Sequence, residues 1–476
     1  MKLFKQLLLL FSFSVLIISC AKEENHSSPV SEKEIKEVTI FHINDTHGSI
    51  DNFSKIKYLI DEEKKHTNVL FVCAGDTFSG NPIVDNYDEK GYPMIDLMNK
   101  TGVDVAVFGN HEFDYGEAAL KNRINQSEFD WLCANINTEN SSIDQPKAYT
   151  TINIDNVKVT VLGLIQTKKS NDRIIPSTHP WRVKNFNFLD YKDIISDYSN
   201  LKETENSDIY IALTHLGQNT DVSIARNYPF FDFIIGGHSH STVDRKENST
   251  YIYQSGSKLK NLGKIVISID KDGVITSNYE LIDLSNMTQY DETTQAVIDT
   301  YNDNPELNRV IGYAEDYHNG SQVGYFFTDA LLYELNADLT FQNTGGIRSS
   351  LDQGDITVRE IYSIDPFNNG SVTYNMTIGD IKYFLKDTKE GLYYAGLTIE
   401  QSGNTVVIKN ENGDILSDDY SITVGIGDFL PAVYNNYFTT TPSIKEFTTA
   451  ETIINYLNNN SAPINYTNYS NYFKYQ

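Results

Sequence analysis

The sequence predicts an α/β protein in two domains. Three observations carry this. A strand–helix–strand rhythm begins at Val38, a polar helical stretch interrupts it near 286–310, and a second set of helices and strands follows. The length of 476 residues also exceeds what one core ordinarily organises.

In order, "VTIFHIN" reads as a strand, "FSKIKYLIDEEKK" as an amphipathic helix and "VLFVCAG" as a strand. "PMIDLMNK" is a helix and "DVAVFGN" a strand, completing a parallel pattern. "YTTINIDNVKVTVLGLI" alternates around Asp155-Asn156, as a hairpin does. "SDIYIALTH" and "FDFIIGGHSH" are strands that end in polar clusters, and "KIVISIDKDGVITSNYEL" is a hairpin turning at Lys271-Asp272-Gly273. Residues 286–310 read as a linker helix, giving a first domain over 38–285 and a second over 311–476. The second domain should hold a helix at "GYFFTDALLYEL", a strand at "ADLTFQN" and a glycine turn at "TGGIR". A helix at "IGDIKYFLKD", a β section at "LTIEQSGNTVVIKNENGD" and a late helix at "SIKEFTTAETIINYL" complete it.

Composition bounds the function. Hydrophobic residues make up 40% and aromatic residues 12%, enough for a packed globule. The net charge of −26 disfavours binding to a nucleic-acid polymer or an anionic membrane through bulk electrostatics. An anionic substrate would then need local positive charge from a metal or a few arginines. No protein partner is predicted.

The first 20 residues, "MKLFKQLLLLFSFSVLIISC", have Lys2 and Lys5 before an apolar stretch too short to span a bilayer. Their end resembles a bacterial lipobox, which implies cleavage before Cys20, lipidation of that residue and anchoring to the cell envelope. The following "AKEEN" resembles the surface-export signal of some bacterial lipoproteins, and 21–37 reads as a flexible tether. The other cysteines, Cys73 and Cys133, sit in apolar runs and read as buried thiols.

The chemistry collects at strand ends. Asp45 and His47 in "NDTHG" lie two residues apart, so in extended backbone a carboxylate and an imidazole point the same way. An Asx-turn with a solvated His is the bland alternative. Asp76 after Gly75 is either a helix N-cap or a ligand able to bridge two cations. Asn110 follows Gly109, His215 ends "IALTH", and His238 with His240 follow Gly236-Gly237. Five strand ends delivering Asp, Asn or His are hard to obtain from packing alone. Nitrogen and oxygen donors without thiolates suit a pair of divalent ions such as Zn²⁺ or Mn²⁺. His111 would point past the metals to the substrate. Asp114 would hold its other ring nitrogen, and Glu112 would cap the helix that starts near Tyr115.

The order D-x-H, G-D, G-N-H-E, H, G-H-x-H, spread over about 200 residues, resembles the calcineurin-like metallophosphoesterases. "GNHEFDYG" and the second domain narrow the resemblance to the 5′-nucleotidase family, with its secreted UDP-sugar hydrolases and 2′,3′-cyclic-nucleotide phosphodiesterases. It implies a four-layer α/β/β/α sandwich, then a linker helix and an α+β substrate domain. It also implies hydrolysis of nucleotide phosphate esters at two divalent metals. One metal would be held by Asp45, His47, Asp76 and His240, the other by Asp76, Asn110, His215 and His238, with His111 and Asp114 as the catalytic dyad. In "NTGGIR" Asn343 and Arg348 match residues that hold the substrate, and in "PFNN" Phe367 matches one that stacks on the base. Phe429 lies where a second stacking Phe is expected. Two motifs depart from the family: "HNGSQVGYFFTDAL" lacks the usual Glu and Arg, and "LPAVYNNYF" stands where Gly-Gly-Asp-Gly is usual.

Overall fold

A computed structural model describes residues 35–170 and 172–476. The signal segment and Cys20 lie outside the described residues, as does most of the tether. The last two tether residues are not loose: the first strand, Lys36–Ile43, already pairs Lys36 with Ile269 and Glu37 with Ser268.

The first domain is two six-stranded sheets packed face to face. In one sheet, Lys36–Ile43, Val69–Cys73, Val105–Val107 and Asp130–Leu132 run parallel, and the antiparallel hairpin Asn261–Ile269/Ile275–Asp283 closes the other side. In the other sheet, Val157–Ile165, Ile209–His215, Phe233–Ile235 and Thr250–Ser255 are parallel, with Tyr149–Ile154 and Thr242–Glu247 antiparallel at the edges. Alternation decides the packing. Val38, Ile40, Val72 and Val105 face Val159, Val161, Ile211 and Phe233 between the sheets. Phe41, Ile43 and Phe71 face outward, against the helices Phe53–Glu63 and Tyr92–Thr101. On the far side, Leu162, Ala212 and Ile234 meet Val222 and Ile224 of the helix Gln218–Asn227. Four layers therefore bury three apolar seams, each fully buried Val, Leu or Ile contributing about 1.5–3 kcal/mol. Cys73 and Cys133 are buried free thiols within these layers.

The helix read as a linker runs from Glu292 to Asn302, capped by the Asp291 side chain on the Thr294 amide. It lies on the first domain: Ser54 Oγ donates to Gln295 at 2.7 Å and Tyr301 Oη to Asp96 at 2.9 Å, while Ile298 is buried. By Leu307 and Arg309 the backbone carbonyls accept from Arg359 and Val358 of the second domain. The chain thus crosses between domains in the few residues after Asn302.

The second domain is built on a six-stranded sheet, ordered Ser443–Thr448, Gly370–Thr377, Ser421–Gly427, Leu339–Asn343, Leu392–Gly396, Tyr472–Phe473. The helices Gly320–Leu335 and Ile378–Thr388 fall where the pattern placed them. The expected late helix is corrected. Its first part is the edge strand Ser443–Thr448, and the helix begins at Thr449. A capping box sets that boundary, with the Thr448 side chain accepting from the Glu451 amide and the Glu451 carboxylate accepting from the Thr448 amide. Among the described residues no helix is long and apolar enough to cross a membrane.

Candidate active site

The parallel strands of both sheets deliver their C-terminal ends to one rim, where ligands gather in open α/β folds. Asp45 and His47 follow Lys36–Ile43, Asp76 follows Val69–Cys73, and Asn110 and His111 follow Val105–Val107. From the facing sheet come His215, the last residue of Ile209–His215, and His238 and His240 after Phe233–Ile235. All seven expected ligands meet there.

The backbone turns sharply to achieve this. Asp45, His47, Asp76, His238 and His240 all have left-handed φ, between +47° and +76°. Such conformations cost roughly 1–3 kcal/mol each and persist only where surroundings over-determine them. Here the strand ladder continues past the strands, with Asp45 N donating to Gly75 O at 3.0 Å and His47 N to Asp76 O at 3.0 Å. Two glycines permit the close approach. A Cβ at Gly109 would stand 2.3 Å from Asp76 Oδ1, and one at Gly237 would stand 2.6 Å from Ala74 O.

Glu112 was expected to cap the helix after it and does not. That helix, Gly116–Gln126, has no side-chain cap. The buried Glu112 carboxylate instead accepts from Gly109 N at 2.5 Å, Thr77 N at 2.6 Å, Thr77 Oγ1 at 2.7 Å and Asp76 N at 3.1 Å. It clamps two adjacent strand ends together and so fixes Asp76 relative to Asn110.

The donor set fits two cations. The candidate ligand atoms of Asp45, His47, Asp76 and His240 lie within 4.8 Å of one another, and so do those of Asp76, His215 and His238. Asp76 belongs to both groups. Asn110 joins the second, its Oδ1 2.9 Å from His238 Nδ1, while its Nδ2 donates to Ser177 O at 3.1 Å and so turns the oxygen to the cluster. Two imidazoles are held from behind: Nδ1–H of His47 donates to Ser79 O at 3.0 Å and that of His215 to Ala74 O at 2.7 Å. This leaves each Nε2 directed at the site, as outer hydrogen bonds do for metal-binding histidines. His215 Nε2 lies 3.0 Å from Asp76 Oδ2. The His47 and His240 Nε2 atoms converge to 2.9 Å.

Electrostatics divides the candidate ligands. Burial pushes the Asp45 carboxyl up to about 7, so this pocket calls for positive charge. Burial also lowers His238 and His240 to about 4, which keeps them neutral as ligation requires, whereas at His215 burial is outweighed by the Asp76 and Asp45 carboxylates, which raise the imidazole to about 10.

His111 and Asp114 are brought into contact. His111 Nδ1 lies 2.6 Å from Asp114 Oδ2, and His111 Nε2 lies 4.0 Å from Asp76 Oδ2 at the edge of the cluster. Burial alone would lower the imidazole's pKa, but the Asp114 and Asp76 carboxylates raise it overall. Burial likewise opposes charge on Asp114, yet His111 holds that carboxyl down at about 2.

A cavity of about 490 Å³ opens over this rim, and the second domain closes its other side with Asn343, Arg348, Phe367 and Phe429. The Phe367 ring lies nearly parallel to the His111 imidazole with centroids 5.9 Å apart, and the Arg348 guanidinium is 5.7 Å from the same ring. Arg182 was not foreseen. It lines the cavity, donates through Nη2 to Phe367 O at 2.6 Å, and sets Nη1 3.9 Å from Asp114 Oδ1. Thr178 Oγ1 donates to the same Asp114 oxygen at 2.8 Å. Both come from the loop "STHPWRV", whose only signal was an Arg beside Trp and Pro in a segment without periodicity.

Comparison with known proteins agrees with this geometry. The calcineurin-like phosphoesterase family matches residues 38–242 and the 5′-nucleotidase C-terminal domain family matches residues 297–434. The chain is 26% identical to the trifunctional nucleotide phosphoesterase protein YfkN of Bacillus subtilis, over 87% of its own length but only 33% of that protein's. It is 26% identical to a 5′-nucleotidase of Vibrio parahaemolyticus, over 91% of each chain. The solved structure of a 5′-nucleotidase precursor from Thermus thermophilus shares the fold, with a TM-score of 0.76 at 20% identity, over 89% of this chain and 96% of that one. The first domain, over residues 38–242, is thus a calcineurin-like phosphoesterase domain, and the second, over 297–434, a 5′-nucleotidase C-terminal domain.

Proposed function

We propose that this protein hydrolyses nucleoside monophosphates to nucleoside and phosphate. One observation carries the reading: the Asp/His cluster and the His111–Asp114 dyad share a single cavity with Asn343, Arg348 and Phe367 of the other domain. Divalent cations in such a cluster supply Lewis-acid polarisation of a phosphoryl oxygen and lower the pKa of water. The remaining steps belong to the chain. Asp114 stays ionised and keeps the proton on His111 Nδ1, so a protonated His111 presents Nε2–H to the phosphoryl group as its charge develops. Arg348 and Asn343 orient the substrate, and Phe367 offers its ring to the base. Because the two halves of the site lie on different domains, a hinge in the stretch 286–310 would open and close it.

Related nucleotide esters are the alternatives, and a metal-loaded preparation assayed on AMP, 2′,3′-cAMP and UDP-glucose separates them. The highest kcat/KM is expected on AMP. Turnover of the cyclic nucleotide or the sugar nucleotide alone would reassign the substrate, and no turnover of any ester would leave a surface protein that only binds ligands.

We also infer export and anchoring to the cell envelope through lipid on Cys20. The Cys20→Ala chain should then leave the membrane fraction for the soluble one. Unchanged membrane association of that variant would exclude the lipid anchor.

A further inference from the structure

The segment that departs from its family, "LPAVYNNYF", has a definite place in the cavity. Tyr434 ends the short helix Phe429–Val433 and lines the same cavity as Phe367 and Phe429. Its ring packs edge-on to Phe384, with centroids 5.8 Å apart, and its hydroxyl donates to Glu390 Oε2 at 2.6 Å. Glu390 lines the cavity too, from the turn between the helix Ile378–Thr388 and the strand Leu392–Gly396. That turn is tied to the substrate motif, since Thr344 N of "NTGGIR" donates to Gly391 O at 3.3 Å.

The chemistry of this wall is one-sided. Tyr434 spends its only proton on Glu390, so the phenol offers an acceptor. Among the described residues Glu390 Oε1 has no hydrogen-bond partner, and a carboxylate donates nothing. Phe367 and Phe429 provide aromatic surface for a planar ring. A ring held there meets acceptors along this edge of the cavity.

We propose that Glu390, oriented by Tyr434, selects nucleobases that present N–H donors. Guanine fits best, because its N1–H and 2-amino group can both donate to one carboxylate. Uracil fits poorly, because its one donor on that edge, N3–H, is flanked by two carbonyl oxygens that would confront the carboxylate. The inference rests on the nucleotide reading above and assigns the base preference that reading leaves open.

The test compares kcat/KM for GMP and UMP in the metal-loaded protein, in Glu390→Gln and in Tyr434→Phe. The ratio within each protein cancels losses of folding or metal. The unaltered protein should favour GMP by about 10–100-fold. Glu390→Gln, isosteric but able to donate, should cut that ratio about tenfold, chiefly by raising KM for GMP. Tyr434→Phe should lower it less, since the carboxylate remains but loses its orientation. Equal turnover of GMP and UMP, or a ratio untouched by Glu390→Gln, overturns the role of Glu390 alone. Hydrolysis of p-nitrophenyl phosphate with no turnover of either nucleotide overturns the nucleotide reading and this inference with it.

Discussion

His111→Ala is expected to lower kcat by roughly 10²–10⁴-fold, with the bound divalent metal unchanged. The separation follows from position. The His111 ring meets the cluster at its edge, with Nε2 4.0 Å from Asp76 Oδ2 and the ring edge-on to His47 at 5.0 Å between centroids, whereas its Nδ1 is bound to Asp114 at 2.6 Å. On the proposed reading, removing the ring deletes a donor to the reacting phosphoryl group and leaves the seven candidate ligands in place. Against burial, the Asp114 and Asp76 carboxylates raise the pKa of His111, and Asp114, held at about 2 by His111, supplies the opposing charge. Purified protein assayed alongside elemental analysis checks both halves. Full activity in the variant would remove the dyad from the mechanism, and loss of metal would recast His111 as a ligand.

Asp76→Asn should lose metal as well as activity. The amide keeps the shape and can still accept from His111 N, which donates to Oδ1 at 2.8 Å. It loses the charge shared by both halves of the cluster, where Oδ2 lies 3.0 Å from His215 Nε2 and 4.0 Å from His47 Nε2. Burial opposes charge on Asp76, but His215 and His111 hold it ionised well below the usual carboxylate range. We expect metal content to fall below two ions per chain and kcat/KM to fall at least about 100-fold. Metal-to-protein stoichiometry after desalting measures the first and steady-state kinetics the second. A fully loaded, active variant would show that Asp76 does not bridge.

What was legible in the sequence follows a physical divide. The candidate ligands were visible because they follow apolar runs: "FHIN" before Asp45, "VLFVCAG" before Asp76, "FIIGG" before His238. A buried strand that breaks into Asp, Asn and His has few packing reasons to do so. Glu112 was misread because an acidic residue just before a helix resembles a cap, and only the fold brings Thr77 N and Gly109 N onto its carboxylate. Arg182 was invisible because its partners, Asp114 and Phe367, are 68 and 185 residues away in the chain. In the second domain Val372, Tyr374 and Met376 alternate with Thr373, Asn375 and Thr377, so the strand Gly370–Thr377 does carry a period-2 signal, and its apolar residues enter the core. The edge strand Ser443–Thr448 is largely exposed and carries no strong period, so its pairing is a tertiary outcome. The backbone strain at five ligands was equally hidden, since nothing local marks a left-handed Asp or His.

The most direct test is anomalous X-ray diffraction at the metal edge, from crystals of residues 35–476 grown with Mn²⁺. Two peaks should appear about 3.5–4 Å apart on either side of Asp76. One should lie against His47 and His240, the other against His215, His238 and Asn110, with His111 beside the pair. A single peak, or strong peaks elsewhere with this rim empty, would contradict the account.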